Sequence, residues 1–264
     1  MTKTPLYHTQ DAQGVIEVYE EDGVRHLNFG SFAQQSATHL HNANQLHFAY
    51  TQTMMSVLLF QPLEQDDILL LGLGGGSLAT YLFTHFPQCH IEAVEYRAAV
   101  AQIAYDYFAL PRDERLNVVI DDAAHYTRER CAMQREFYRL IMLDLFDAQG
   151  ISPTLFNETF LAQCHAMLKK DGILVVNLWH NKAQFEQVFA WLGRLFQAKL
   201  LFLPVEGMVN VIGFFFREDT PLYSRKVLQK RAVQLEKQYQ LPFKRFLKAF
   251  ITHNPHFIDN VTSA

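Results

Sequence analysis

The run Gly72-Leu73-Gly74-Gly75-Gly76-Ser77 directly follows the apolar stretch Ile68–Leu71. Glycines at such a place let the backbone turn sharply and approach a ligand, and the helix that follows offers free N–H groups at its first turn. Glu95 closes the next apolar stretch, 19 residues beyond Gly76. One carboxylate there can accept hydrogen bonds from both hydroxyls of a ribose. Asp122 and Ala123 follow a third stretch, where a carboxylate or a neighbouring N–H can meet an adenine edge. Three consecutive strand ends bearing ligand-type residues point to nucleoside binding. The glycine spacing is not that of a dinucleotide fingerprint, and no lysine follows as in a phosphate loop. Both absences argue against a nicotinamide cofactor or a nucleoside triphosphate.

A fourth apolar stretch, Leu140–Leu143, ends in Asp144-Leu145-Phe146-Asp147. Two carboxylates three apart would then sit at the carboxyl edge of a sheet, where ligands bind. Structural duties compete for both: Asp147 can start the turn Asp-Ala-Gln-Gly, and Asp144 can cap backbone amides. The chemistry on offer is proton removal. A carboxylate placed there can act as a general base.

Other chemistries find less support. His39 and His41 have no acidic or cysteine partner at metal-ligand spacing and read as solvated surface. Ser36 and Ser77 lack a His–Asp constellation. Tyr105, Tyr107 and Phe108 read as the packed face of a helix. Cys89, Cys131 and Cys164 are far apart and odd in number, which predicts reduced, packed thiols.

Positioning the acids requires alternating strands and helices. The pattern predicts strands at Ile68–Leu71, His90–Val94, Asn117–Ile120, Leu140–Leu143 and Ile173–Leu178, with further strands at Leu200–Leu203 and Val209–Phe216. Helices are expected at Ser77–Phe86, Arg97–Phe108, Leu155–Leu168 and Lys182–Phe196, the third ended by Lys169-Lys170-Asp171-Gly172 with a glycine cap. Only Pro204–Met208 joins the last two strands. That link is too short for a crossover helix, so the final pair should be antiparallel. Upstream, Val15–Tyr19, the Asp22-Gly23 turn and Val24–Phe29 predict a small hairpin, followed by a polar stretch through Gln34-Gln35-Ser36 and a helix from Ala43 to Phe60. Downstream, Leu222–Tyr239 and Pro242–Ile251 read as helices. The expected organisation is an N-terminal hairpin and helix over 1–62, a nucleoside-binding α/β domain over 63–216, and a basic helical tail over 217–264.

At 49% hydrophobic and 19% charged, the 264 residues can bury a sizeable core. No apolar run approaches the ~20 residues that span a bilayer, and the N-terminus is polar. A cytoplasmic protein without a membrane is expected. The net charge of -4 combines a balance of +6 over Arg217–Lys248 with -10 elsewhere. An acidic body suits a cationic substrate. The basic tail, with Arg225, Lys226, Lys230 and Arg231, lacks the interleaved exposed aromatics of a nucleic-acid binder, and no nucleic-acid partner is expected.

Together, Leu71–Gly76, Ala93-Val94-Glu95, Ile120–Ala123, Leu143–Asp147, Leu155-Phe156 and Phe160 resemble the spermidine synthase (polyamine aminopropyltransferase) family. Val18–Gly30 and Gln34-Gln35-Ser36 are similar to its N-terminal β-region and substrate-loop glutamine, and Tyr50 falls near its substrate-pocket tyrosine. The resemblance covers roughly residues 15–216. It implies the class I AdoMet-transferase fold, a Rossmann-like, mostly parallel sheet with an antiparallel last strand. It also implies transfer of an aminopropyl group from decarboxylated AdoMet to a putrescine-like amine in polyamine biosynthesis, without a metal and commonly in a homodimer. Carried over, it makes Asp144 the base. It places the donor on Gly72, Gly74, Gly75, Gly76, Ser77, Glu95, Asp122 and Ala123, and the acceptor on Gln35, Tyr50 and Asp147. One position departs. The family has an acid where this chain has Ser77, and methyltransferases of the same fold read Gly-Gly-Gly-Ser-Leu there. A methyltransferase using AdoMet on a protein or small amine is therefore the alternative. A catalytically silent nucleoside-binding module is the third reading.

Overall fold

Polar and apolar segments alike turn out to be strands at the start of the chain. The computed structural model describes residues 3–30, 34–179, 182–221 and 223–255. It opens with β1 (Thr4–Asp11), β2 (Gly14–Glu21), β3 (Val24–Asn28), β4 (Gln34–His39) and β5 (Asn42–Leu46), an antiparallel sheet paired in chain order. The expected hairpin is its centre, β2 with β3. Asp22 and Gly23, at φ 51° and 77°, make the turn, matching the twist that a two-residue hairpin loop requires. β1, β4 and β5 escaped the pattern because they are polar. The first five residues of β1 are all exposed, so no alternation marks it as a strand. His41 is exposed as expected. His39 is not fully solvated: it is half-buried and pairs with His47 Nδ1 at 3.3 Å.

The helix expected over Ala43–Phe60 is three elements: β5, α1 (Ala49–Met54) and a 3-10 turn at Met55–Leu59. Leu46 is buried from the strand, whereas Met54, Val57 and Leu58 are buried from the turns that follow. Their spacing imitated one helical face because both elements point at the same core.

From here strand and helix alternate: β6 (Asp67–Leu71), α2 (Ser77–His85), β7 (His90–Glu95), α3 (Ala98–Tyr107), β8 (Leu116–Ile120), α4 (Ala123–Met133) and β9 (Tyr138–Leu143). A small ladder, β10 (Phe146–Asp147) with β11 (Gly150–Ile151), precedes α5 (Glu158–Met167), β12 (Leu168–Trp179), α6 (Lys182–Leu195), β13 (Leu200–Pro204) and β14 (Asn210–Phe216). The chain then forms α7 (Arg225–Tyr239) and α8 (Phe243–His253). Leu222, the first residue of the expected helix there, lies outside the described residues.

α4 had too short an apolar stripe to reveal it. Only Ala123, Tyr126 and Cys131 reach the core from it, and Asp122 caps its start, Oδ1 accepting from the N–H groups of Ala124 and His125 at 2.9 and 3.0 Å. The expected glycine cap at Gly172 is also corrected. β12 already begins at Leu168, and Gly172 lies where an added Cβ would come within 3.0 Å of the Arg139 and Lys169 carbonyl oxygens. A close backbone approach selects the glycine.

The large sheet has the order β13-β14-β12-β9-β6-β7-β8. β14 is antiparallel to both neighbours, and the strands from β12 to β8 are mutually parallel. Alternate residues of β6 serve opposite faces: Ile68 and Leu70 join the core that includes Phe214, Phe243 and Phe250, while Leu69 and Leu71 join Phe160, Val188 and Leu192. Burial on both faces explains the unbroken apolar runs. The C-terminal helices share the first core through Leu228, Phe246 and Phe250. The N-terminal sheet docks on α3 through Ile16, Val18 and Leu27 against Val100 and Ile103. All three cysteines are free and buried. No helix among the described residues is long and apolar enough to cross a membrane.

Candidate active site

Strand order reverses direction beside β6: β7 and β8 lie on one side of it, β9 and β12 on the other. A crevice opens outside the strand ends at such a switch point. Here it is a cleft of about 840 Å³, a volume typical of small-ligand sites.

The glycine loop forms its floor. Gly72 N–H donates to the Val94 carbonyl at 2.9 Å, and Asp144 N–H donates to the Leu71 carbonyl at 2.9 Å. Gly72 has φ 98°, and a Cβ on it would overlap the Asp144 carbonyl oxygen. Only glycine fits between these strand ends. Gly72, Gly74 and Ser77 line the cleft. Gly75 and Gly76 do not: both are buried, the first against Ser36 and Phe108, the second against Leu110. They shape the loop rather than its wall. Ser77 Oγ donates to the Ala37 carbonyl at 3.3 Å and lies 3.1 Å from Ser36 Oγ, which ties the N-terminal sheet to the start of α2.

Glu95 is 8% exposed. Its Oε2 accepts from the N–H groups of Leu73 and Gly74, each at 3.2 Å, and its Oε1 accepts from Arg97 N–H at 2.9 Å. Burial pushes this carboxyl up from its ordinary range, opposed by those three N–H groups and the Arg97 charge. Three of about four acceptor positions on the carboxylate are thus used within the protein, leaving roughly one for a ligand. Arg97 was not singled out from the sequence. Its guanidinium binds Asp11 through Nε at 2.9 Å and Nη2 at 2.7 Å, donates to the Gly14 carbonyl, and covers the Phe29 ring at 4.6 Å. The Arg97 hydrogen bond holds Asp11 below its ordinary pKa. Asp122 and Ala123 line the same wall, with Asp122 Oδ1 engaged on the first turn of α4.

Asp144 lines the same cleft from the end of β9, across β6 from Glu95 on β7. Its Oδ1 accepts from Asn177 Nδ2 at 2.8 Å, and the Tyr50 hydroxyl also hydrogen-bonds the carboxylate. Desolvation pushes its pKa up to about 6, against the pull of those two donors. Burial and the neighbouring Asp144 charge push Tyr50 well above its ordinary value. Behind Asn177, Asn210 Nδ2 donates to Asn177 Oδ1 at 2.9 Å. Neither asparagine was singled out from the sequence. Both sit inside apolar strand patterns, and a polar residue in such a run was the only available signal.

Asp147 lines the cleft at β10. Its Oδ1 accepts from the N–H groups of Gln149 and Gly150 at 2.8 and 3.0 Å, so the turn duty weighed for this residue is present. Gln35 donates from Nε2 to the Asp147 carbonyl at 3.3 Å, bringing β4 to the β10 edge of the cleft. Phe48 stacks on Tyr50 and Phe146 packs on Trp179, at centroid distances of 5.7 and 5.3 Å. All four rings line the cleft. Among the described residues the charged side chains of the lining are Glu95, Asp121, Asp122, Asp144, Asp147 and one cation, Arg97. No group of three His, Cys, Asp or Glu among the described residues is placed to hold a metal ion.

The glycine loop, a half-buried carboxylate of raised basicity and an acidic, aromatic lining thus meet in one cleft at the switch point. A spermine/spermidine synthase domain model matches residues 47–221. The polyamine aminopropyltransferase of Neisseria meningitidis serogroup A is 31% identical over 242 residues, 91% of this chain and 90% of its own. A spermidine synthase solved with the transition-state analogue AdoDATO superposes with a TM-score of 0.68 at 16% identity, over 98% of this chain and 87% of that one. Human methyltransferase-like protein 13, solved in complex with SAH, gives 0.64 at 24% identity, over 74% of this chain and 93% of that one. At those identities the two structures speak to the fold.

Proposed function

The chain belongs to the spermine/spermidine synthase family, and from that membership and the cleft we propose that it transfers an aminopropyl group to an amine in polyamine biosynthesis. The observation that carries the reading is Asp144, half-buried at the switch point, with a pKa near 6 and the Tyr50 hydroxyl on it. At neutral pH such a group is mostly ionised yet more basic than an ordinary aspartate, which suits a general base. The acceptor nitrogen forms a bond to the donor's aminopropyl carbon, the carbon–sulfur bond breaks, and a neutral thioether leaves. Asp144 takes the amine proton. Binding the two reactants on facing walls supplies much of the remaining acceleration.

The donor we assign is decarboxylated AdoMet. Its sulfonium and ammonium are both positive, and the lining offers five carboxylates. AdoMet would add a carboxylate, and Arg97, the one cation of the lining among the described residues, is already bidentate to Asp11. Glu95 would hold the ribose, Asp122 and Ala123 the adenine edge, and Gly72, Gly74 and Ser77 the chain that leads to sulfur. The acceptor we assign is a putrescine-like diamine, one nitrogen at Asp144 and the other ammonium at Asp147. Its methylenes would lie against Tyr50, Phe146 and Trp179, with Gln35 closing that side. Free, buried thiols suit the reducing cytoplasm, where we place the protein. A homodimer follows from the family resemblance.

One observation favours a second reading. Ser77 stands where a carboxylate would select the decarboxylated donor, and its hydroxyl is engaged by Ala37 and Ser36, which leaves the start of α2 compatible with an anionic donor. Methyl transfer from AdoMet is then the competing reaction. Calorimetric titration with both donors, followed by product analysis with putrescine, separates them. Tighter binding of the decarboxylated donor and an aminopropylated product are expected. Ser77→Asp should strengthen that donor further and weaken AdoMet. Methyl transfer with no aminopropyl product would replace the reading.

A further inference from the structure

Two buried amides stand behind Asp144. Asn177 is 1% exposed and Asn210 is 5% exposed. In the antiparallel ladder Asn177 lies opposite Ile212, and Asn210 lies opposite Trp179. Asn210 is therefore the diagonal neighbour of Asn177 on the same face. β14 runs against the rest of the sheet, so its first residue, not its last, reaches the carboxyl edge where Asp144 sits. Three adjacent strands thereby set Asn210, Asn177 and Asp144 in a row. Asn210 Nδ2 donates to Asn177 Oδ1 at 2.9 Å, and Asn177 Nδ2 donates to Asp144 Oδ1 at 2.8 Å.

The row has a direction. A carboxylate only accepts hydrogen bonds, whereas a carboxylic acid can donate one. A primary amide can satisfy either by turning over. With its carbonyl end held by Asn210, Asn177 must show Asp144 its N–H end. We propose that Asn210 is a positioning residue of the reaction: through Asn177 it locks an amide donor on Asp144 and keeps that group a carboxylate, ready to accept the amine proton. This rests on the reading of Asp144 as the base. The other groups facing it are consistent with the need for such a lock. Tyr50 on α1 donates to Asp144. Asp147 beyond β9, Glu95 at the end of β7, and Asp121 and Asp122 beyond β8 line the same cleft and repel a further negative charge. Arg97 is the opposing cation, and it is paired with Asp11.

The test is the pH dependence of kcat/KM with decarboxylated AdoMet and putrescine, alongside the ¹³C titration of the Asp144 carboxyl, assigned by its loss in Asp144→Asn. The wild type should show an acid limb near pH 6. Asn210→Asp, which accepts rather than donates and so turns the Asn177 amide over, should move both limb and titration up by about one unit. Asn210→Leu removes the donor without adding charge and should move them in the same direction by less. Asn210→Gln keeps the donor and should leave the limb in place. Folded Asn210→Asp or Asn210→Leu protein with an unmoved carboxyl titration would overturn the proposal and reduce the pair to a satisfied polar contact. If wild type forms no aminopropyl product, the reaction assigned above fails, while the carboxyl titration still decides the lock.

Discussion

Glu95 and Asp144, the most buried carboxylates of the two walls of the cleft, are held in opposite ways, while Asp147 keeps the backbone donors of its own turn. On the donor wall Glu95 is fixed by three backbone N–H groups and Asp122 by two more, all from residues close in sequence or on the adjoining loop. On the acceptor wall Asp144 is fixed by side chains from α1 and β12, 94 and 33 residues away. Backbone donors survive any side-chain substitution, so the hydrogen bonds that hold Glu95 do not depend on which side chains the loop carries. Side-chain donors can be changed one at a time, so the acceptor wall is where the basicity of the site is set. A site that recognises one nucleoside but must time a proton transfer has reason to be built this way.

Breaking the acceptor wall at its centre should have the largest effect. Asp144→Asn should leave donor affinity nearly intact and lower turnover by about 10²–10⁴-fold, the usual range for loss of a general base. Steady-state rates and calorimetry on the same sample check the split. Activity of the wild type should rise with pH through about 6, as the carboxylate form is populated. Stability should move the other way. The folded pKa lies above the unfolded value of about 3.9, so the native chain binds the proton more readily, and raising pH from about 4 to 6 costs about 1–3 kcal/mol that remains lost above 6. The Asn variant should lack that fall in urea melts recorded across the range.

The seam between the walls is the next most sensitive place. Gly72→Ala forces φ 98° on a residue with a Cβ and drives that Cβ into the Asp144 carbonyl. A loss of roughly 2–4 kcal/mol is expected from strain and displacement together, with both substrates binding worse. A variant with unchanged melting and affinity would show that the strands can part there at no cost.

Testing the donor wall should give a smaller change. Glu95→Gln keeps one oxygen but turns an NH₂ toward loop amides that need an acceptor. Donor affinity should fall by about ten-fold or more, consistent with the 1.5–3 kcal/mol of a charge-assisted hydrogen bond, with kcat at saturating donor much less affected. If turnover fell as steeply as for Asp144→Asn, the division of labour between the walls would be wrong.

What could be read from the chain alone was whatever is local. The apolar runs of β6, β7, β9 and β12, the glycine loop after β6, the acids at successive strand ends and the short link before β14 each depend on neighbours within a few residues, and each left a pattern. The polar strands β1 and β4 left none, because the first five residues of β1 are exposed on both faces and β4 buries Ser36, Ala37 and Thr38 in a row; α4 left little, because its core-facing stripe is only Ala123, Tyr126 and Cys131. Tertiary structure alone decided the rest. Gly75 and Gly76 face Phe108 and Leu110 instead of the cleft. Arg97 reaches back to Asp11, 86 residues earlier. Asn177 meets Asp144, and Asn210 meets Asn177, only because β12 lies beside β9 and β14 returns antiparallel beside β12. A hydrogen bond across strands follows from strand order and direction, which many sequences of the same local pattern could satisfy differently, so the residues that tune the base are visible only once the sheet is assembled.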